Sequence, residues 1–168
     1  GDERRTQILE EQTEICLEDM LADEEMVVTI SHGGYIKGSP LHLYRSQRRG
    51  GKGSTGMATK EEDYVEYLFV ASTHSQILFF TSEGKVHWLK VHQIPQLGRA
   101  AKGRSVSNLL ALSPQERITA MIPVRDFKDG QYLIMATRRG VVKKTALSAY
   151  ANPRSGGIIG IDLEEGNE

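Results

Sequence analysis

Cysteine is almost absent from this chain. The single residue of that type, Cys16, cannot close an internal disulfide and has no second thiolate with which to hold a metal, so it reads as a small apolar filler. No apolar run approaches the roughly 18 residues that a membrane-spanning helix needs. The opening Gly1-Asp2-Glu3-Arg4-Arg5 lacks a secretory pattern, so a cytoplasmic address without a membrane partner is expected. The five histidines are scattered, with His87 and His92 five apart and no H-x-x-x-H pair, which excludes the usual metal sites. Hydrophobic residues at 39% of 168 nevertheless suffice for a folded core.

Acidic residues are missing from one long stretch, since none lies between Ser31 and Thr59. Inside it, directly after Tyr44-Arg45-Ser46, runs Gln47-Arg48-Arg49-Gly50-Gly51-Lys52-Gly53. Glycines open the backbone to positive φ and to close approach by a ligand; arginine offers a planar donor fork and lysine a mobile point charge. Two readings fit this loop by itself, an anion site and a flexible solvated turn.

The near-neutral net charge of −1 conceals a strong segregation. Residues 1–25 hold ten acids and two bases, residues 26–160 eight acids and nineteen bases, and residues 161–168 four acids. A basic body with acidic ends points to a polyanionic partner. The first 25 residues read as an acidic connector, with room for one helical turn between Asp19 and Glu25.

From Met26 onward the pattern becomes short β-type runs broken by turns. Met26-Val27-Val28-Thr29-Ile30, Ile77-Leu78-Phe79-Phe80 and Tyr132-Leu133-Ile134-Met135-Ala136 each run into a Ser/Thr-x-x-Gly turn and a second strand. The turn glycines Gly34, Gly84 and Gly140 stand 50 and 56 residues apart. Six residues before them lie Val28, Leu78 and Ile134; two after, Ile36, Val86 and Val142; ten after, Tyr44, Ile94 and Tyr150. This is an internal repeat. Tyr67-Leu68-Phe69-Val70-Ala71 and Ile118-Thr119-Ala120-Met121-Ile122 supply further strands, so each period holds about four short antiparallel strands, the content of a propeller blade. The expectation is an all-β, propeller-like fragment over residues 26–168, with blades near 26–103 and 104–160 and strand exchange possible between them. The closing Ile158-Ile159-Gly160-Ile161-Asp162-Leu163 either finishes a blade or starts the next.

The repeat also orders the cations. Lys37, Arg45, Arg48, Arg49 and Lys52 fall in the first unit; Lys85, Lys90, Arg99, Lys102 and Arg104 in the second; Arg138, Arg139, Lys143, Lys144 and Arg154 in the third. Stacked blades would set these windows along one rim as a basic track for a long polyanion. The chemistry of an enzyme is lacking. A nucleotide-binding G-x-x-x-x-G-K-[ST] fails because Gly53 follows Lys52 and Ser46 stands in place of the first glycine. Tyr44, placed beside arginines like a nucleophile, has Ile94 and Tyr150 as repeat counterparts, which suits packing; Trp88 has Gly38 and Lys144, which gives base stacking no support.

The seven residues from Gln47 to Gly53 are identical to the box that characterises the C-terminal domain family of the A protein of bacterial DNA gyrase. Asp2-Glu3-Arg4-Arg5-Thr6, Val27-Val28-Thr29-Ile30-Ser31-His32, Asn108-Leu109-Leu110, Glu116-Arg117-Ile118-Thr119-Ala120 and Met135-Ala136-Thr137 resemble the same family, so the resemblance covers essentially the whole chain. It implies a β-pinwheel, a disc whose blades exchange strands. It further implies that duplex DNA wraps around the basic rim and is presented to a strand-passage core for ATP-dependent negative supercoiling. On this reading Arg48, Arg49 and Lys52 contact phosphates, Gly50, Gly51 and Gly53 shape the loop, and Gln47 hydrogen-bonds backbone or phosphate. Lys37, Arg45, Arg99, Lys102, Arg104, Arg138, Arg139, Lys143, Lys144 and Arg154 continue the track.

The resemblance places the catalytic tyrosine, ATP and magnesium on other domains, so this chain is expected to have no catalytic residue, metal or cofactor of its own. Its expected partners are double-stranded DNA, the remainder of the gyrase A protein and the gyrase B protein. The family domain usually has six blades, and about two are present here, so wrapping by this piece alone is expected to be partial or absent. Two alternatives stand beside this: a topoisomerase IV-type C-terminal domain, or a basic propeller-like scaffold that docks an acidic protein.

Overall fold

The Ser/Thr-x-x-Gly turns organise the architecture. A computed structural model describes residues 17–44, 63–98 and 100–167. One helical turn at Leu17–Met20 precedes the first strand, earlier in the connector than the Asp19–Glu25 interval. The first unit contributes β1 (Glu25–Ser31), β2 (Tyr35–Pro40) and β3 (Val65–Ser72). The second contributes β4 (Gln76–Thr81), β5 (Lys85–Lys90), β6 (Arg104–Ser105) and β7 (Ile118–Val124). The third contributes β8 (Tyr132–Ala136), β9 (Val142–Ala146) and β10 (Ile158–Ile159).

β1–β2, β4–β5 and β8–β9 are antiparallel hairpins of one design. Their turn glycines Gly34, Gly84 and Gly140 have φ of 80°, 72° and 85°. Each donates its N–H to the Ser31, Thr81 or Thr137 carbonyl at 3.0 Å. In this left-handed region a Cβ is disfavoured, which is why the repeat keeps glycine there. Each second strand then runs into a 3-10 turn, at Leu41–Leu43, Val91–Gln93 and Leu147–Tyr150.

Two four-stranded sheets result, in the orders β3-β1-β2-β6 and β7-β4-β5-β10, with β8-β9 as a separate pair. In both complete sheets the strand at the far edge arrives from the following unit. β6 comes after the second hairpin yet pairs with β2, and β10 comes after the third yet pairs with β5. Sheets and sequence units are therefore offset, and the closing apolar run finishes the second sheet. This is an all-β propeller architecture with strand exchange.

Alternation along β4 divides the interior in two. Ile77 and Phe79 face the first sheet and join Met26, Val28, Ile30, Ile36, Ala71 and Val106 in one core. Leu78 faces the other way, with Val86, Val124, Leu147 and Tyr150 and the partly buried Leu133 and Met135 of β8. A strand buried on both faces needs the unbroken apolar run Ile77-Leu78-Phe79-Phe80 rather than an alternating one. Each such side chain contributes roughly 1.5–3 kcal/mol on burial. Ile94 sits in the first core and Tyr150 in the second, which fits the packing role given to that repeat position. Trp88 packs against the second core, its indole N–H donating to the Tyr150 carbonyl at 2.8 Å.

Candidate nucleic-acid interface

β2, β5 and β9 each follow a turn glycine, and the cation-rich windows run along them and into the segments beyond. In the two complete sheets this is the side that ends in the exchanged strand. At the edge of the first sheet Lys102 and Arg104 come together beside Tyr35. The Lys102 ammonium lies 4.5 Å above the Tyr35 ring, a cation–π contact, and the exposed Arg104 pairs with Ile36 in the ladder.

In the third unit Lys143 and Lys144 are neighbours on β9 and so project to opposite faces. The Lys144 ammonium sits 4.2 Å over the Tyr132 ring, while that of Lys143 donates to the Gly160 carbonyl at 2.8 Å. Arg138 and Arg139 occupy the exposed third turn, with the Arg139 guanidinium 3.7 Å from Glu164. Arg154 is exposed on the approach to β10. Arg45, Arg99 and the whole box from Gln47 to Gly53 lie outside the described residues.

Lys37 is a correction. It is fully buried, and its ammonium donates to the Gly98 carbonyl at 2.9 Å. Burial holds that ammonium below the usual lysine range. A cation buried in this way ties β2 to the segment leading to β6 and offers nothing to a phosphate in solvent.

Polar staples also recur in the fold without a matching sequence motif. In the first unit Asp63 Oδ1 accepts the Gly33 N–H at 2.7 Å and the Tyr64 N–H at 2.9 Å. The Ser31 hydroxyl, followed by these N–H groups, holds its carboxyl below the usual range. In the third, Asn167 Oδ1 accepts the Arg139 N–H at 3.0 Å, and its Nδ2 donates to Thr137 Oγ1 at 3.2 Å.

The second unit places Glu116 in this role, deeply buried. Its Oε1 accepts the Thr81 hydroxyl at 2.6 Å and lies 3.0 Å from His87 Nε2, and Oε2 accepts the Ser113 N–H at 2.9 Å. Burial pushes the Glu116 carboxyl up, but the Thr81, Ser113 and His87 bonds outweigh it and leave the group below its ordinary value. His87 is thus a packing histidine within a satisfied network. Each staple ties a hairpin turn to the later part of its own unit, which fixes the strands that carry the cations.

The family model described as "DNA gyrase C-terminal domain, beta-propeller" matches residues 25–72, 75–125 and 131–168, one match for each structural unit. The chain belongs to that family. Over all 168 residues it is 50% identical to the DNA gyrase A protein of Salmonella typhimurium, 19% of whose length is covered. It is 48% identical to that of Mycolicibacterium smegmatis and 46% to that of Clostridium acetobutylicum, in each case over the whole chain and 20% of the relative. The chain therefore spans about a fifth of the length of these curated relatives.

Among solved structures, the C-terminal domain of DNA topoisomerase IV matches with a TM-score of 0.71 and 29% identity, over 88% of this chain and 45% of that one. A DNA gyrase A C-terminal domain matches in fold with a TM-score of 0.70 at 24% identity, over 86% of this chain and 46% of the other. The gyrase-type domain here has no described helix long and apolar enough to cross a membrane. Nor do the described residues gather three or more His, Cys, Asp or Glu side chains in a metal-holding group.

Proposed function

We propose that the chain binds duplex DNA along its exchanged-strand edge and acts as a non-catalytic, DNA-wrapping part of the gyrase A protein. Wrapped duplex is then presented to the strand-passage core of the holoenzyme, whose ATP-driven cycle introduces negative supercoils. The observation that carries this reading is the recurrence of cations at equivalent places in successive units, beside β2, β5 and β9. The box supplies the principal phosphate contacts, through Arg48, Arg49 and Lys52. Arg45, Arg99, Lys102, Arg104, Arg138, Arg139, Lys143, Lys144 and Arg154 extend the track. The protein partners are the rest of the gyrase A protein and the gyrase B protein, and the nucleotide, magnesium and catalytic tyrosine belong to them.

Electrostatics dominates such binding. About six to ten phosphate contacts make affinity fall roughly 10³–10⁵-fold between about 50 and 200 mM salt. Bending a 20–30 bp stretch of duplex costs about 1–6 kcal/mol, which a multi-contact edge offsets. The test is duplex binding across a salt series by the Arg48→Ala/Arg49→Ala/Lys52→Ala variant. Lower affinity with a shallower salt slope is expected, and an unchanged affinity and slope would remove the box from the contact surface. The topoisomerase IV-type reading has the structural match in its favour. The intact box weighs toward gyrase, and a change of plasmid linking number on binding separates a wrapping domain from one that only binds.

A further inference from the structure

The connector touches both complete sheets at one point. Leu21, Ala22 and Glu24 dock on the crossing from β3 to β4: the Glu24 N–H donates to Thr73 Oγ1 at 3.1 Å, and the Thr73 hydroxyl donates to the Ala22 carbonyl at 2.7 Å. The Thr73 N–H donates to the Glu24 carbonyl at 2.9 Å, and His74 Nε2 lies 2.8 Å from the Leu21 carbonyl. This docking fixes the backbone on either side of Asp23. The Asp23 carboxylate then accepts the Ser72 hydroxyl on one oxygen and pairs with the Arg125 guanidinium on the other.

Ser72 and Arg125 are the same position in successive blades. Val28 and Leu78, each six residues before a turn glycine, pair with Phe69 and Ile122. Ser72 and Arg125 both lie three residues beyond those partners, Ser72 as the last residue of β3 and Arg125 as the first after β7. One carboxylate therefore bridges equivalent strand ends of adjacent sheets.

The core between those sheets is made of aliphatic and aromatic contacts, which are non-directional. Directional ties are few: Tyr67 Oη donates to the Thr119 carbonyl at 3.5 Å between β3 and β7, Gly38 on β2 exchanges backbone hydrogen bonds with Pro95 and Leu97 after β5, and the Asp23 bridge adds one at the strand ends. We propose that Asp23 is a positioning residue that sets the angle between the first two blades, and with it the curvature of the basic edge. Both side chains are largely exposed, so the pair adds little to stability and is screened by salt. Its effect is on geometry. The Ser72 hydroxyl and then the Arg125 guanidinium hold the Asp23 carboxyl below its usual range, so the bridging form is the charged one. The described end of the connector is thereby held by Arg125 at Asp23 and by His74 at the Leu21 carbonyl.

The importance of that curvature rests on the proposed function, but the angle itself is read without DNA. Spin labels at Leu43 and Gln93, each nine residues after a turn glycine, report the distance between equivalent points of the two blades in this chain. Asp23→Asn and Arg125→Gln are expected to broaden the single narrow distance distribution while the chain stays folded by circular dichroism. Amide exchange at Thr73 should rise about two- to fivefold, the effect of losing one exposed charged contact. The charge-swapped pair Asp23→Arg/Arg125→Asp should recover the narrow distribution. An unaltered distribution in both single variants overturns the inference, whatever the box variant shows about DNA. If the distribution broadens but the linking-number change of bound plasmid is unaffected, the link from blade angle to curvature is overturned.

Discussion

The second sheet and the third hairpin begin from the same turn and the same strand pattern, yet only one is enclosed. Leu78 on β4 is fully buried, whereas Ile134, its counterpart on β8, is 72% exposed. Both occupy the position six residues before a turn glycine, as does the buried Val28. The apolar code at that position therefore specifies a flank that a neighbouring blade covers, and a hairpin's own partner strand does not cover it. On the other face of β8, Leu133 and Met135 turn toward the second core and line a groove of about 300 Å³ against Ala120 and Ile122 of β7.

The sharpest way to break the comparison is to truncate both equivalents. Leu78→Ala should cost about 2–5 kcal/mol, and Ile134→Ala about 0.5 kcal/mol or less, measured by urea unfolding. Equal costs would show that a neighbour covers Ile134 in solution. The turn glycines give a second contrast. A Cβ on Gly140 meets nothing within 4 Å, so Gly140→Ala carries only the left-handed penalty of about 1–2 kcal/mol. On Gly84 the same Cβ would lie 2.2 Å from the Ile161 carbonyl oxygen, so Gly84→Ala should lower the melting temperature further and detach the segment after β10.

Acid titration separates the staples. The Glu116 carboxyl is lower in the folded chain than in the unfolded one, so its stabilisation is complete above the ordinary carboxylate value and is lost as pH falls through the folded value. Glu116→Gln should weaken the fold at neutral pH and flatten its loss of stability on acidification. The amide of Asn167 does not titrate, so the third turn should keep its staple at acid pH, as amide exchange at Arg139 would report. The smallest effect contrasts two cations of the first sheet, one on its edge strand and one buried on β2. Arg104→Gln should reduce the salt slope of duplex binding by about 1, whereas Lys37→Gln should leave it unchanged because that ammonium is occupied by Gly98.

The hairpins were legible in the sequence because turn glycines and alternating strands are local, and period-2 patterning reports directly on burial. The exchange was less so. β6 and β10 are two residues long, too short to show alternation, and their partners lie in another unit. Asp63, Glu116 and Asn167 share no residue type, and they stand 29, 32 and 27 residues after their turn glycines, so no motif exposes them. Lys37 belongs to a basic window yet is buried, because membership of such a window says nothing of which face of a strand a side chain takes. Its acceptor lies 61 residues away.

The exchange of outer strands has a consequence for how the chain is made. As synthesis runs from the N-terminus, the first sheet waits for Arg104–Ser105 and the second for Ile158–Ile159. Each sheet is completed one unit late, so the ribosome always trails a half-finished edge behind it. Pulled from its downstream end, the chain would expose β10 to peeling from the second sheet first, since that strand is held there by only two residue pairs.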